Sequence, residues 1–167
     1  MIVITQKMYS AMVNFFKKNK FCNVILRFCY NFLPFIMFFS YGILLVFMLF
    51  SDAKIFARVL LAPFTVFALV TVFRKIFNRQ RPYQKFKIES VFGKDKDGES
   101  MPSRHTSSAF IIAMAFMYVS IPLGIAYMII SILITISRVL SGVHFISDVI
   151  AGMAISLLYG YFSFFII

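Results

Sequence analysis

Long runs of apolar residues, separated by short polar breaks, extend over most of this chain. A membrane-spanning helix needs about 20 predominantly apolar residues. Pro122 and Gly124 interrupt one of the runs and predict a helical hairpin with a tight turn. The pattern therefore predicts five membrane-spanning helices, over about residues 31–50, 55–77, 106–119, from the hairpin turn to 136, and 149–167.

Two regions depart from this pattern. Residues 1–30 are amphipathic, with Lys17 and Arg27 among aromatic and aliphatic side chains. This favours a helix that lies in the membrane interface, with an atypical first span as the alternative. Residues 78–104 make a single long hydrophilic loop. We expect an interfacial segment over 1–30, followed by a transmembrane core over 31–167.

Composition supports an all-α integral membrane bundle. The chain has 167 residues, enough for one domain, and 61% of them are hydrophobic, against roughly half in a soluble domain. A soluble protein of this size has too large a surface to hide so much apolar area. The net charge is +11. Because the basic residues flank apolar spans, we expect membrane lipids and an anionic lipid head group as partners, and no nucleic acid.

Three polar clusters fall at the ends of predicted spans. With five spans, the end of the second, the start of the third, the end of the fourth and the start of the fifth share one membrane face. Both histidines of the chain belong to these clusters. The clusters are Arg74 to Pro82, then Pro102-Ser103-Arg104-His105, and then Ser137-Arg138 with His144 and Asp148.

Each cluster also has a structural interpretation. Basic residues at the end of a span often extend to the interface, and Ser103 suits the N-cap of a helix. His105 at a helix start is more often structural than catalytic, and His144 with Asp148 could form a surface hydrogen bond. Arg138 is harder to explain in this way, because an arginine deep in the bilayer requires an anionic partner. Together on one face, the clusters indicate a phosphate site.

Phosphoryl transfer spreads negative charge over the phosphate oxygens, so positioning and electrostatic stabilisation dominate its catalysis. Arginine side chains match these oxygens in a bidentate manner, and amides at a helix start add donors. The predicted phosphate-binding residues are Arg81, Ser103, Arg104 and Arg138, with Arg74 or Lys75.

The two histidines suit complementary steps. A neutral histidine can attack phosphorus when a carboxylate fixes which ring nitrogen carries the proton. Asp148 would be that carboxylate for His144. His105 would protonate the leaving oxygen and then activate water. The acids of the polar loop lack a metal-ligand spacing and alternate with lysines. We therefore expect no metal and no other cofactor, with arginines in place of the ions of a two-metal phosphatase.

These clusters resemble the motifs of the type 2 phosphatidic acid phosphatase superfamily, namely Lys-x6-Arg-Pro, Pro-Ser-x-His and Ser-Arg-x5-His-x3-Asp. The third is complete from Ser137 to Asp148, and Arg74 replaces the lysine of the first. The resemblance covers about residues 55–167. It implies an all-helical core, a phosphohistidine on His144, and His105 as general acid and then base.

The resemblance and the membrane setting together imply a small bacterial-type lipid phosphatase. Its substrate would be phosphatidate, phosphatidylglycerophosphate or a polyprenyl diphosphate such as undecaprenyl diphosphate. A phosphotransferase would use the same residues, and a non-catalytic lipid-binding protein would not need both histidines. We expect a multi-pass protein of the cell membrane. The resemblance favours the outer face of the membrane for the active site. The lysines, however, are concentrated on the same face as the active site, and this favours the cytoplasmic face. The sequence does not indicate the oligomeric state.

Overall fold

Helices account for nearly all of the computed structural model, which describes residues 5–94 and 96–166. No strand occurs in these two ranges. The helices are α1 (Gln6–Lys18), α2 (Lys20–Arg27), α3 (Leu33–Ser51), α4 (Ala53–Phe77), α5 (Pro82–Phe86), α6 (Arg104–Val119), α7 (Ile121–Leu140) and α8 (Ile146–Tyr161), with π-helical turns at Phe28–Phe32 and Phe162–Ile166. The predicted all-α fold is confirmed.

Within the described residues, four helical segments have the length and hydropathy to cross a membrane. The remaining predicted span is α6, whose 16 residues reach about 24 Å at 1.5 Å per residue, short of a hydrocarbon core about 30 Å thick. Residues 106–116 of α6 are all buried, because α4, α7 and α8 pack around it. The four segments are Lys20–Ser51, Ala53–Phe86, Ile121–Leu140 and Ile146–Ile166.

The outer surface of the bundle is strongly apolar. Phe39, Phe50, Phe64 and Leu158 are each more than half exposed on α3, α4 and α8. An apolar surface of this extent is a liability in water and ordinary in contact with acyl chains. The exposed side chains therefore agree with the multi-pass membrane protein that the sequence predicts.

The amino-terminal segment is more closely integrated than we expected. The helical run that forms the first span begins at Lys20 and continues through the π turn to Ser51, rather than beginning near residue 31. Tyr9 and Val13 of α1 are buried against Tyr83, Val91 and Val143. The segment thus packs on the protein, and its location in the membrane interface stays a prediction. Residues 1–4 lie outside the described part.

The hairpin between α6 and α7 turns at Ser120 alone, slightly earlier than predicted. Pro122 lies in the first turn of α7, where proline is tolerated because the amide it lacks would have no partner. A side chain at Gly124 would collide with Met117 of α6. This close approach lets the rings of Phe116 and Tyr127 stack with their centroids 3.8 Å apart.

The polar region that follows α4 folds back over the start of α6. The side-chain oxygen of Gln84 accepts hydrogen bonds from the amides of Arg81 and Gly98, at 2.9 and 3.1 Å. The amide of Ser100 donates to the carbonyl of Arg79 at 2.9 Å. These contacts close the region, predicted as a loop, on itself. The amide of Val91 donates to the carbonyl of Ser141 at 3.1 Å and joins the region to the end of α7.

Candidate active site

The ends of α4, α6 and α7 and the turn before α8 surround a cavity of about 180 Å³. All three clusters found in the sequence contribute to its wall, so the structure brings them together at one end of the bundle. The lining residues are Tyr30, Arg74, Arg81, Lys94, Lys96, Arg104, His105, Arg138, Val143 and His144.

His144 lies in the turn between α7 and α8, with 2% of its surface exposed. Its Nδ1 is 3.5 Å from a carboxylate oxygen of Asp148, one helical turn later. The Asp148 side chain is fully buried. It also accepts hydrogen bonds from Arg79 at 2.8 Å, from the hydroxyl of Ser100 and from the amide of Phe145 at 2.9 Å. This network holds the carboxylate beside the imidazole.

The surroundings of His144 favour its neutral imidazole. Burial disfavours the charged form and, with the nearby positive charge of Arg81, lowers the pKa of His144 to about 4. The carboxylate of Asp148 acts in the opposite direction without overcoming burial. A neutral imidazole retains a lone pair on one ring nitrogen, as nucleophilic attack requires.

Three arginines of the cavity wall are buried and held by backbone carbonyls. Arg74 donates to the carbonyl of Pro102 at 2.9 Å, and Nε of Arg81 donates to that of Gly98 at 3.0 Å. Arg138 donates to the carbonyl of Tyr30 at 2.6 Å. The sequence led us to expect an anionic partner for Arg138, but the partners that the structure gives it are neutral. Carbonyls orient a guanidinium without neutralising it, so the charges of Arg81 and Arg138 stay available to a phosphate. Arg74 also lies 3.9 Å from a carboxylate oxygen of Glu99.

The second cluster contributes less uniformly to the cavity. Arg104 and His105 line it from the first turn of α6, and His105 is exposed. Ser103 is buried but does not line the cavity. Its hydroxyl accepts from Thr106 at 3.1 Å, and its amide donates to the carbonyl of Asp148 at 2.9 Å. Its position thus suits the joining of α6 to α8 better than contact with phosphate.

Arg74 and Lys75 are alternative candidates in the sequence, and the structure places their side chains differently. Arg74 is 3% exposed and lines the cavity. Lys75 is exposed and does not line it. Adjacent residues on a helix point about 100° apart, so one of the two faces the bundle and the other faces away. Arg74, which has the spacing of the family's lysine, is therefore the one of the two that faces the cavity.

Several residues around the cavity were not among those chosen from the sequence. Arg79 belongs to the first cluster, but its pairing with Asp148 is not visible in the spacing. Lys94 and Lys96 reach the cavity from the polar region. Because they alternate with acidic residues in the sequence, the spacing gives no sign that they line the site. Ser100 and Tyr30 carry no recognisable signal, because their contacts depend on the way distant segments fold together.

The wall of the cavity is strongly cationic. Six lysine and arginine side chains line it, and within the described ranges no aspartate or glutamate does. The cavity of about 180 Å³ is smaller than the roughly 300–1,000 Å³ of pockets that enclose drug-sized ligands. This volume suffices for a phosphate-bearing head group and not for a lipid tail. The site therefore suits a doubly or triply charged phosphate whose hydrocarbon part remains in the membrane.

Comparisons with known proteins show similarity to a family model and to two solved structures. The PAP2 superfamily model matches residues 55–167, about two thirds of the chain. The LpxE crystal structure from Aquifex aeolicus is 21% identical, with a TM-score of 0.75 over 97% of this chain and 95% of that one. The structure of a PAP2-type phosphatidylglycerolphosphate phosphatase from Bacillus subtilis is also 21% identical, with a TM-score of 0.49 over 94% of this chain and 90% of that one. No curated protein sequence matches the chain. The chain therefore belongs to the PAP2 superfamily.

Proposed function

We propose that this enzyme hydrolyses a lipid phosphomonoester or diphosphate, without a metal, through a phosphohistidine on His144. One observation carries the proposal. A buried imidazole lies 3.5 Å from the carboxylate of Asp148, in a cavity lined by four arginines. Nucleophile, orienting carboxylate and charge-stabilising groups are the parts that phosphoryl transfer through histidine requires.

In the first step, Nδ1–H of His144 donates a hydrogen bond to the carboxylate of Asp148. The proton stays on Nδ1, so the lone pair on Nε2 can attack phosphorus. The N–P bond forms as the bond from phosphorus to the lipid oxygen breaks. His105, which lines the same cavity, gives a proton to that oxygen. The products are a lipid alcohol, or a lipid monophosphate from a diphosphate, and phosphorylated His144.

In the second step, water attacks the phosphorus of phosphohistidine. His105 accepts a proton from this water, the N–P bond breaks, and inorganic phosphate leaves with His144 neutral again. Arg74, Arg81, Arg104 and Arg138 offset the charge that builds up on the phosphate oxygens in both steps.

The substrate proposals remain phosphatidate, phosphatidylglycerophosphate and a polyprenyl diphosphate. The cavity holds only a head group, and the exposed apolar surface of the bundle suits the tail. We place the active site at the outer face of the cell membrane, in line with the family resemblance. The concentration of basic side chains at this end partly reflects phosphate binding, so it is a poor guide to orientation.

The test is phosphate release by the purified protein from each of these lipids, with a chelator present. We expect release from at least one lipid by the wild-type protein. His144→Ala should lower the rate by more than about 10³-fold, because it removes the nucleophile. A dependence on added divalent metal would overturn the metal-free mechanism, and wild-type turnover in His144→Ala would overturn the nucleophile. Formation of a new lipid phosphate in place of free phosphate would identify a phosphotransferase.

Arg74→Ala and Lys75→Ala form a matched pair for the same assay. Arg74→Ala should lower kcat/KM by about 10- to 100-fold, the effect of losing a charged hydrogen bond to phosphate. Lys75→Ala, which removes an exposed positive charge from the adjacent position, should leave it nearly unchanged. Equal losses in both variants would contradict the separate locations of the two side chains.

A further inference from the structure

We propose that Tyr30 is a positioning residue for Arg138, so that the amino-terminal helices form part of the phosphate site. The inference rests on the proposed function insofar as Arg138 binds the substrate phosphate. Two contacts join the residues. Arg138 donates a hydrogen bond to the Tyr30 carbonyl at 2.6 Å, and its guanidinium carbon lies 3.9 Å from the centroid of the Tyr30 ring. Both residues are buried, and both line the cavity.

The local backbone explains how a helix carbonyl can accept this bond. Tyr30 lies within the π turn Phe28–Phe32, where the amide of Leu33 donates to the carbonyl of Phe28, five residues earlier. In an α-helix each carbonyl accepts from the residue four positions later, and a π turn interrupts this ladder. The widened turn lies beside the Arg138 side chain, and the carbonyl of Tyr30 within this turn accepts the hydrogen bond from Arg138.

The nature of these partners matters for phosphate binding. A buried arginine normally needs a carboxylate, which would reduce its attraction for a second anion. The face of an aromatic ring and a carbonyl instead stabilise the cation and leave its net charge intact. In the part of the chain that the structure describes, Nε of Arg138 is buried without a hydrogen-bond partner. Tyr30 thus orients the guanidinium without neutralising its charge.

A second contact ties the amino-terminal segment to the same region. The hydroxyl of Tyr9 in α1 donates to the carbonyl of Gly142 at 3.0 Å, two residues before His144. Tyr9 and Tyr30 both precede residues 55–167, the part that matches the family model. Residues outside the family core therefore support both the arginine and the histidine of its third motif.

The experiment measures binding of inorganic phosphate by calorimetry, alongside kcat/KM for the lipid substrate. Tyr30→Leu removes the ring and should weaken both by about tenfold, the equivalent of one buried cation–π contact. Tyr30→Phe keeps the ring and should stay within about threefold of the wild type. If Tyr30→Leu does not fold, Tyr30→Met replaces it, because methionine fills more of the volume and has no aromatic face.

The matched control is Tyr118→Leu. Its ring faces Arg58 at 5.8 Å, in another part of the bundle, so the same chemical change should leave phosphate binding unaltered. Combining Tyr30→Leu with Arg138→Ala tests whether Tyr30 acts through the arginine. We expect no further loss of phosphate binding in the double variant.

Three outcomes would overturn the inference: wild-type phosphate binding in Tyr30→Leu, an equal loss in Tyr118→Leu, or additive losses in the double variant. Failure of the proposed function is a separate result. It would show as absent lipid hydrolysis by the wild-type protein, while the phosphate-binding measurements would still test the role of Tyr30.

Discussion

Burial and nearby positive charge affect the protonation of His144 more than the carboxylate of Asp148 does. The imidazole is almost fully buried, and Arg74 and Arg81 add positive charge nearby, so its protonated form is disfavoured. The carboxylate of Asp148 also accepts hydrogen bonds from Arg79 and Ser100. Its charge is therefore shared among several donors. In the proposed mechanism, the free enzyme has a neutral imidazole for the attack, and the carboxylate is in place for the cation that then forms.

The titration of His144 can be observed alone, because the chain has two histidines and His105→Asn removes the other. In the ¹⁵N-histidine NMR spectrum of this variant, we expect a neutral imidazole from pH 8 to about pH 5. Protonation should have a midpoint near pH 4, since burial lowers the pKa of this base. A midpoint near 6.5, the ordinary value for histidine, would contradict the buried, neutral nucleophile. The His144→Asn variant provides the assignment control.

At the scale of elements, the position of α8 against the start of α6 depends on a close approach at Gly152. A Cβ atom at this position would lie 2.7 Å from the hydroxyl of Ser107 and 2.8 Å from the carbonyl of Ser103. The second contact is with backbone, which cannot turn aside as a side chain can. The first turn of α8 carries Asp148, whose carbonyl accepts from the Ser103 amide. Gly152 thus helps to fix the Asp148 backbone relative to α6.

Gly152→Ala should therefore destabilise the bundle. Overpacking of this kind typically costs about 1–3 kcal/mol, which thermal unfolding in detergent would report as a lower Tm. Gly42→Ala is the matched control, because Gly42 lies in α3 and a Cβ there meets nothing within 4 Å. This control should be neutral or slightly stabilising, since alanine favours a helix over glycine. Equal melting temperatures for Gly152→Ala and the wild type would contradict the tight α6–α8 contact.

At the scale of the whole molecule, the two ends of the bundle differ in charge. The end that holds the cavity carries the polar region and its lysines, and the opposite end has the short turn at Asp52 between α3 and α4. The positive-inside tendency would place the cavity end in the cytoplasm. The proposed phosphate site would account for several of its basic side chains, so we retain the outer face as our proposal.

Cysteine labelling in intact cells decides between the two orientations. In a background of Cys22→Ser and Cys29→Ser, Lys87→Cys introduces an exposed thiol at the cavity end, and Ser51→Cys introduces one at the opposite end. A membrane-impermeant maleimide should label Lys87→Cys directly and Ser51→Cys only after permeabilisation, because charged reagents do not cross the hydrocarbon core. The reverse pattern would place the active site in the cytoplasm.

Much of this architecture could be predicted because its determinants are local. Apolar runs identify the spans, and the polar clusters at their ends predict a shared face from parity alone. The prediction was weakest where protein shields the helix from lipid. α6 is surrounded by other helices, so it can be shorter than a helix in contact with lipid. Its length alone therefore does not show whether it crosses the membrane. The amino-terminal segment was assigned to the interface by its amphipathic pattern, whereas the same apolar face also packs on α5 and the polar region.

The sequence by itself determined the fold class, the membrane setting and the family, because apolar runs and motif spacings are properties of consecutive residues. Only the tertiary structure decided that Arg74 and not Lys75 faces the cavity, that Arg79 pairs with Asp148, and that Tyr30 holds Arg138. Each of these depends on the rotation of a helix about its axis or on a contact between segments distant in the chain. Such relations are set by packing of the whole bundle, and no spacing along the sequence expresses them.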